Sequence, residues 1–174
     1  MAAKSQIQQE LIASNEKYAS TFKEGHLPLP PARKYAIVTC MDARLDPAAA
    51  FGIPLGAAHV IRNAGASAVE SLRSLIISEQ LLGTNEIIVI KHTGCGMLTF
   101  TGEDADGLVK ERLGEKALQE TKSAFNGQWL QFPDVESAVK KDVEFLKASE
   151  AIPENVTISG WVYEVETGKV RHIV

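Results

Sequence analysis

At 174 residues, with 45% hydrophobic and 23% charged side chains, the chain has the makeup of one globular domain with a core of its own. A net charge of -4 without any basic run argues against a nucleic-acid surface, and no apolar stretch approaches the ~20 residues of a membrane span. Met1 to Leu11 carries polar Gln and Ser where a secretory leader would be apolar, so a cytoplasmic protein is expected, its two cysteines free for metal binding or catalysis.

Residues 5 to 24 read as a helix, with Ile7, Leu11, Tyr18 and Phe22 along one stripe. Gly25 and the run Pro28-Leu29-Pro30-Pro31 then stop it and form a stiff connector, so residues 1–33 are expected to be a helical arm and 34–174 a single α/β unit. Such an arm suits either a partner subunit or its own domain. Tyr35 to Thr39 is a short, β-branched run and predicts a buried strand. Asp46-Pro47 reads as a helix cap followed by proline in the first turn, and that helix ends by Gly52. His59 to Arg62 predicts a second strand. Ser67 and Glu70 have capping-box spacing ahead of Leu72, Leu75, Ile76 and Leu82, with Gly83 as the stop. Glu86 to Lys91 is the clearest strand. The polar stretch from Glu103 to Gln131 has weak periodicity and suggests a mobile helical excursion. Val135 to Lys147 predicts a helix, Val156 to Val165 a strand, and Glu166-Thr167-Gly168-Lys169 a turn into a last strand over Val170 to Ile173. Strands alternating with helices imply an α/β fold: a mostly parallel central sheet flanked by helices, with a C-terminal strand hairpin and the N-terminal helical arm.

Cys40 follows the first predicted strand and His92 follows the third, 52 positions later. Parallel sheets gather ligands at the carboxyl ends of their strands, so Cys40-Met41-Asp42-Ala43-Arg44 and His92-Thr93-Gly94-Cys95 are expected at one edge. Two sulfurs and one imidazole are a zinc ligand set one short of a tetrahedral shell, which leaves a position for water. Taken singly, each residue has a plainer reading: a small core cysteine, a core histidine, a surface ion pair between Asp42 and Arg44. Both cysteines falling in these two clusters, each at the end of a strand, favours the metal. His26, His59 and His172 read as solvated histidines, although His26 beside the connector is also a possible proton carrier.

These motifs resemble the β class of carbonic anhydrases. The likeness rests on Cys40-x-Asp42-x-Arg44 and His92-x-x-Cys95, with Arg62-Asn63-Ala64-Gly65 between them and Gly160-x-x-Tyr163 and Thr167-Gly168 near the end. It covers 34–174, and the chain is most similar to the short, archaeal-type branch of the class. Gly94 departs from the polar residue that relatives often carry there, and residues 103–131 align poorly. The resemblance implies one Zn2+ per subunit on Cys40, His92 and Cys95, with Asp42 and Arg44 as catalytic residues. It also implies a homodimer, or a higher oligomer built on dimers, with the N-terminal helix reaching over the neighbouring subunit.

The implied reaction is reversible hydration of CO2 by zinc-bound hydroxide. Arg44 would clamp the Asp42 carboxylate off the metal with paired N–H donors, leaving it to accept a hydrogen bond. Backbone N–H groups at Gly65 or Gly96 are candidates for orienting substrate oxygen. Ala43, Val69, Met97, Leu98 and Phe100 are candidate walls of a small apolar pocket, or simply core. The nearest rival is hydrolysis of carbonyl sulfide or carbon disulfide by the same zinc hydroxide, releasing hydrogen sulfide. A non-enzymatic zinc protein with Asp42 as a fourth ligand, and thiol redox chemistry without a Cys-x-x-Cys, follow behind.

Overall fold

A computed structural model describes residues 3–174; the first two positions of the arm lie outside it. Five strands form one sheet in the order β2-β1-β3-β4-β5: β1 (Tyr35–Cys40), β2 (His59–Asn63), β3 (Glu86–His92), β4 (Thr157–Glu164) and β5 (Lys169–His172). The first four are mutually parallel, and β5 pairs antiparallel with β4 as a hairpin. Gly168, at φ 70°, makes the tight turn between them, and its N–H bonds back to the Glu164 carbonyl at 2.8 Å.

The helices are α1 (Gln6–Ala19), α2 (Pro47–Ala50), α3 (Ala68–Leu82), α4 (Gly102–Leu113), α5 (Glu115–Ala124) and α6 (Val135–Lys147). One face of the sheet packs on α3 and α6: Ala36, Val38 and Cys40 of β1 and Ile87 and Val89 of β3 join Leu75, Val143 and Leu146 in the main core. The alternate residues, Ile37 of β1 and Ile90 of β3, turn to the other face and join Ile53 and Ala57 beside α2. Chain order explains where a site can form. From β1 the chain runs to β2 on one side, and β3 then enters on the other side of β1. The crevice beyond the carboxyl ends of β1 and β3 is therefore the switch point of the sheet.

Several boundaries differ from the sequence reading. Cys40 and His92 are the last residues of their strands, which each run one residue beyond the expected end. The first helix stops at Ala19, short of 24, because the Ser20 and Thr21 hydroxyls bond back to the Lys17 and Tyr18 carbonyls and compete with another turn. Ser67 caps α3 through the Glu70 N–H, but its own N–H goes to Asn63 Oδ1 at 2.7 Å, so Glu70 does not complete a capping box. The stretch 103–131 holds two helices, α4 and α5, joined at Gly114.

α1 buries none of its residues. The connector after it does dock: Pro31 is buried, and the N–H groups of Ala32 and Arg33 bond the carbonyls of Gly56 and Ala57, both at 2.9 Å.

Candidate metal centre

Cys40 ends β1, His92 ends the neighbouring β3, and Cys95 follows on a turn that Gly94, at φ 58°, allows to double back. All three side chains are buried, and their donor atoms lie within 4.8 Å of one another. The two sulfurs are 4.0 Å apart and the cysteines are free. His92 Nδ1 is 2.8 Å from the Thr93 carbonyl, which can only accept, so the ring proton sits on Nδ1. Nε2 is buried and has no hydrogen-bond partner among the described residues. An orphaned imidazole nitrogen aimed at two sulfurs is the signature of a ligand set, because a core histidine would have both nitrogens satisfied.

The sulfurs are supported unequally. The Cys40 thiol is pulled well below its ordinary range by the hydrogen bond from Cys95, and further by His92 and the backbone N–H groups of Asp42 and Gly65. Cys95 is pushed up by the Cys40 sulfur and by burial. Two sulfurs this close ionise together only with a cation between them. The three residues can therefore hold a metal ion.

Asp42 stands beside this group, its Oδ2 3.8 Å from His92 Nε2. Arg44 grips it from one side: Nε donates to Oδ1 at 2.9 Å, Nη2 to Oδ2 at 2.7 Å, and the Arg44 backbone N–H to Oδ1 at 2.9 Å. These bonds hold the Asp42 carboxyl well below the usual carboxylate range, so it is an acceptor and not an acid. Arg44 Nη2 also reaches the Gly94 carbonyl at 2.8 Å, tying the two motifs together.

A cavity of about 280 Å³ opens over the group. Met97 and Phe100 line it, as the sequence suggested, while Ala43, Val69 and Leu98 do not; Met41 and Ala64 take their place. Gly65 and Gly96 both lie on its wall. The Gly65 N–H is among the groups that lower the Cys40 thiol. Gly65 has φ 70°, and a Cβ there would come within 2.7 Å of Met97 Cγ.

Arg62 has a further part that the motif spacing did not reveal. It donates to the Cys40 carbonyl at 3.0 Å and to the Asp42 carbonyl at 2.8 Å, fixing the backbone between them. The other histidines are engaged elsewhere: His26 with the Lys23 carbonyl, His59 with the Ser78 hydroxyl, and His172 against the Trp161 ring.

A mostly parallel sheet with a buried Cys-His-Cys group at its switch point defines an α/β protein with a candidate metal centre. The chain belongs to the carbonic anhydrase family, whose sequence profile matches residues 35–170. It is 39% identical to beta-carbonic anhydrase 1 of Mycobacterium tuberculosis over 168 residues, 96% of this chain and 98% of that protein. The solved structure of carbonic anhydrase from Glaciozyma antarctica is similar at a TM-score of 0.91 and 50% identity, covering 98% of this chain and 100% of that one. Carbon disulfide hydrolase from Saccharolobus solfataricus is 38% identical over 93% of this chain and 86% of its own length.

Proposed function

We propose that the chain catalyses reversible hydration of CO2, CO2 + H2O ⇌ HCO3⁻ + H⁺, with zinc held by Cys40, His92 and Cys95. The observation that carries this reading is the buried, unpartnered His92 Nε2 facing two sulfurs. The 4.0 Å between the sulfurs is close to the roughly 3.8 Å that tetrahedral zinc with Zn–S near 2.3 Å requires. Bound there, zinc supplies a Lewis acid that makes water a nucleophile near neutral pH.

The chain's own residues supply the rest. Asp42, ionised and gripped by Arg44, accepts a hydrogen bond from the attacking oxygen and turns its lone pair toward carbon. Arg44 also restrains Asp42 from swinging the short distance to the ligand group, where it would become a fourth donor and close the site. Met41, Ala64, Met97 and Phe100 give the cavity apolar walls, which suit a linear substrate with no net charge.

Hydrolysis of carbon disulfide or carbonyl sulfide is the second reading, favoured by the carbon disulfide hydrolases among the relatives. CO2 hydration and sulfide release, measured on one zinc-loaded preparation with and without a chelator, separate the two. Fast CO2 hydration with little sulfide supports the first reading, dominant sulfide release the second, and neither activity leaves a zinc-binding protein. In the same assays Arg44→Ala is expected to lose roughly tenfold or more of the activity at pH 7 while retaining zinc. Full activity in that variant removes Arg44 from the mechanism.

We further infer that residues 1–33 are an arm that pairs subunits and 34–174 the catalytic unit, in a homodimer or an oligomer built from dimers. α1 displays Ile7 and Leu11, 75% and 65% exposed, which a lone chain would not leave in water on a stable helix. The sheet face away from α3 and α6 carries an open apolar cavity of about 390 Å³ between Tyr35, Phe51 and Trp161. An amphipathic helix from a second copy has the chemistry to cover it. No helix among the described residues is long and apolar enough to cross a membrane. Two free thiols suit the reducing cytoplasm.

A further inference from the structure

Lys91 stands next to His92 in the middle layer of the protein, yet it is only 3% exposed. Strand alternation puts it with Ile87 and Val89 on the face that packs against α3 and α6, where the surrounding core is apolar. An ammonium in such a place costs several kcal/mol unless every N–H finds a partner. Here all three do. Nζ donates to Asp142 Oδ2 at 2.8 Å, to the Gly65 carbonyl at 2.8 Å and to the Ala66 carbonyl at 3.1 Å. Phe132 covers the charge, its ring centroid 4.9 Å from Nζ. Asp142 comes from the inward side of α6, between Val139 and Leu146, and its Oδ2 also accepts the Ala68 N–H at 3.0 Å.

Every one of these bonds apart from the ion pair itself ends on one short segment, Gly65 to Ala68. That segment is strained: Gly65 at φ 70° and Ala66 at φ 54° are consecutive left-handed residues, and the second has a Cβ. The strain has a use. With the carbonyls of Gly65 and Ala66 held by Lys91, Ala66 packs in the same core cluster as Cys40, and Gly65 lines the same cavity as Cys40. The same segment forms part of the cavity wall.

We propose that Lys91 and Asp142 are a positioning pair that holds the Gly65–Ala66 turn in place beside Cys40 and so fixes Cys40 as a metal ligand. This rests on the metal reading given above. The pair touches neither substrate nor metal and acts through the turn. Losing it lets the turn relax out of its left-handed conformation and away from Cys40. Cys40 then becomes a less firmly placed ligand.

The double variant Lys91→Met/Asp142→Asn tests this, because it removes both charges, keeps their approximate volumes, and strands neither partner. Asp142→Asn alone, which leaves Lys91 its two carbonyls, is a milder companion. Each is loaded with cobalt(II), and the thiolate-to-cobalt charge-transfer band, the metal affinity and the melting temperature are recorded beside the wild type. The expected result for the double variant is a folded protein with a shifted band and metal affinity about tenfold weaker, in the range for loss of groups that orient a metal ligand. Asp142→Asn should fall between it and the wild type. A purely structural pair would move the melting temperature and leave the band where it was. A double variant with the wild-type band and affinity overturns the inference alone. A wild-type protein with no such band overturns the metal reading, and this inference with it.

Discussion

Glu79 lies on α3 at 7% exposure, and neither of its carboxylate oxygens has a partner among the described residues. Burial pushes its carboxyl up from an ordinary 4.5 to about 7. The folded protein therefore keeps a proton there that the unfolded chain gives up from pH 4.5 onward. Stability falls as pH rises through the window from 4.5 to about 7, and the whole penalty is present above it. Glu79→Gln is expected to raise the melting temperature by a few degrees at pH 8 and by much less at pH 5, since each kcal/mol is worth about 2–4 °C in a chain of this size. Equal shifts at both pH values would show that Glu79 is not the titrating group. Legibility at this scale follows the type of residue. Cys40, His92 and Cys95 could be picked out because cysteine is scarce and their two clusters fall at the ends of strands. Lys91 and Asp142 could not, because a charged residue on a strand or a helix reads as solvated until the fold shows what surrounds it; for Arg62 the motif gave the position but not the contacts.

α6 matched its periodicity from Val135 to Lys147 because Val139, Val143 and Leu146 are all buried on one side. α4 and α5 gave little such signal. α4 buries no residue and α5 only Leu118. They are held instead by the Thr101–Asp104 capping box, by the Lys122–Asp106 ion pair at 2.8 Å, and by Trp129, whose Nε1 donates to Asp106 at 2.9 Å. Caps and cross-links of that kind leave no apolar rhythm in the sequence. Where α6 crosses β4, the contact depends on a missing side chain. A Cβ on Gly160 would overlap Val139 Cγ1 and come within 3.0 Å of Val143 Cγ2. Gly160→Ala is expected to destabilise by about 1–3 kcal/mol, seen in thermal melts, and Gly160→Ala/Val139→Ala to recover part of the loss. A Gly160→Ala protein as stable as the wild type would mean that α6 slides freely on the sheet.

At the scale of the whole molecule, the α/β architecture and its parallel order followed from the alternation of apolar runs and helical segments. The apolar stripe of α1 was legible in the sequence, whereas the open apolar face of the outer sheet comes into view only when the chain is folded. If these surfaces meet between two copies, deletion of residues 1–24 should convert a dimer into a monomer in sedimentation. The cavity beside Trp161 would then open to an apolar dye. A wild-type chain that sediments as a monomer, or a deletion that stays dimeric, removes the arm from the assembly.

The β1–β3 ladder, with Tyr35 opposite Glu86 and Thr39 opposite Ile90, brings the two halves of the site together across 52 residues of chain. One step of slippage between those strands moves a side chain by about 3.3 Å and reverses its face, whereas catalytic groups tolerate about 0.5 Å. The register thus works as a proofreading step on folding: a loosely paired chain has no half-working site. Turnover in a weakened variant then counts the fraction of molecules correctly zipped, and specific activity becomes a census of native pairing.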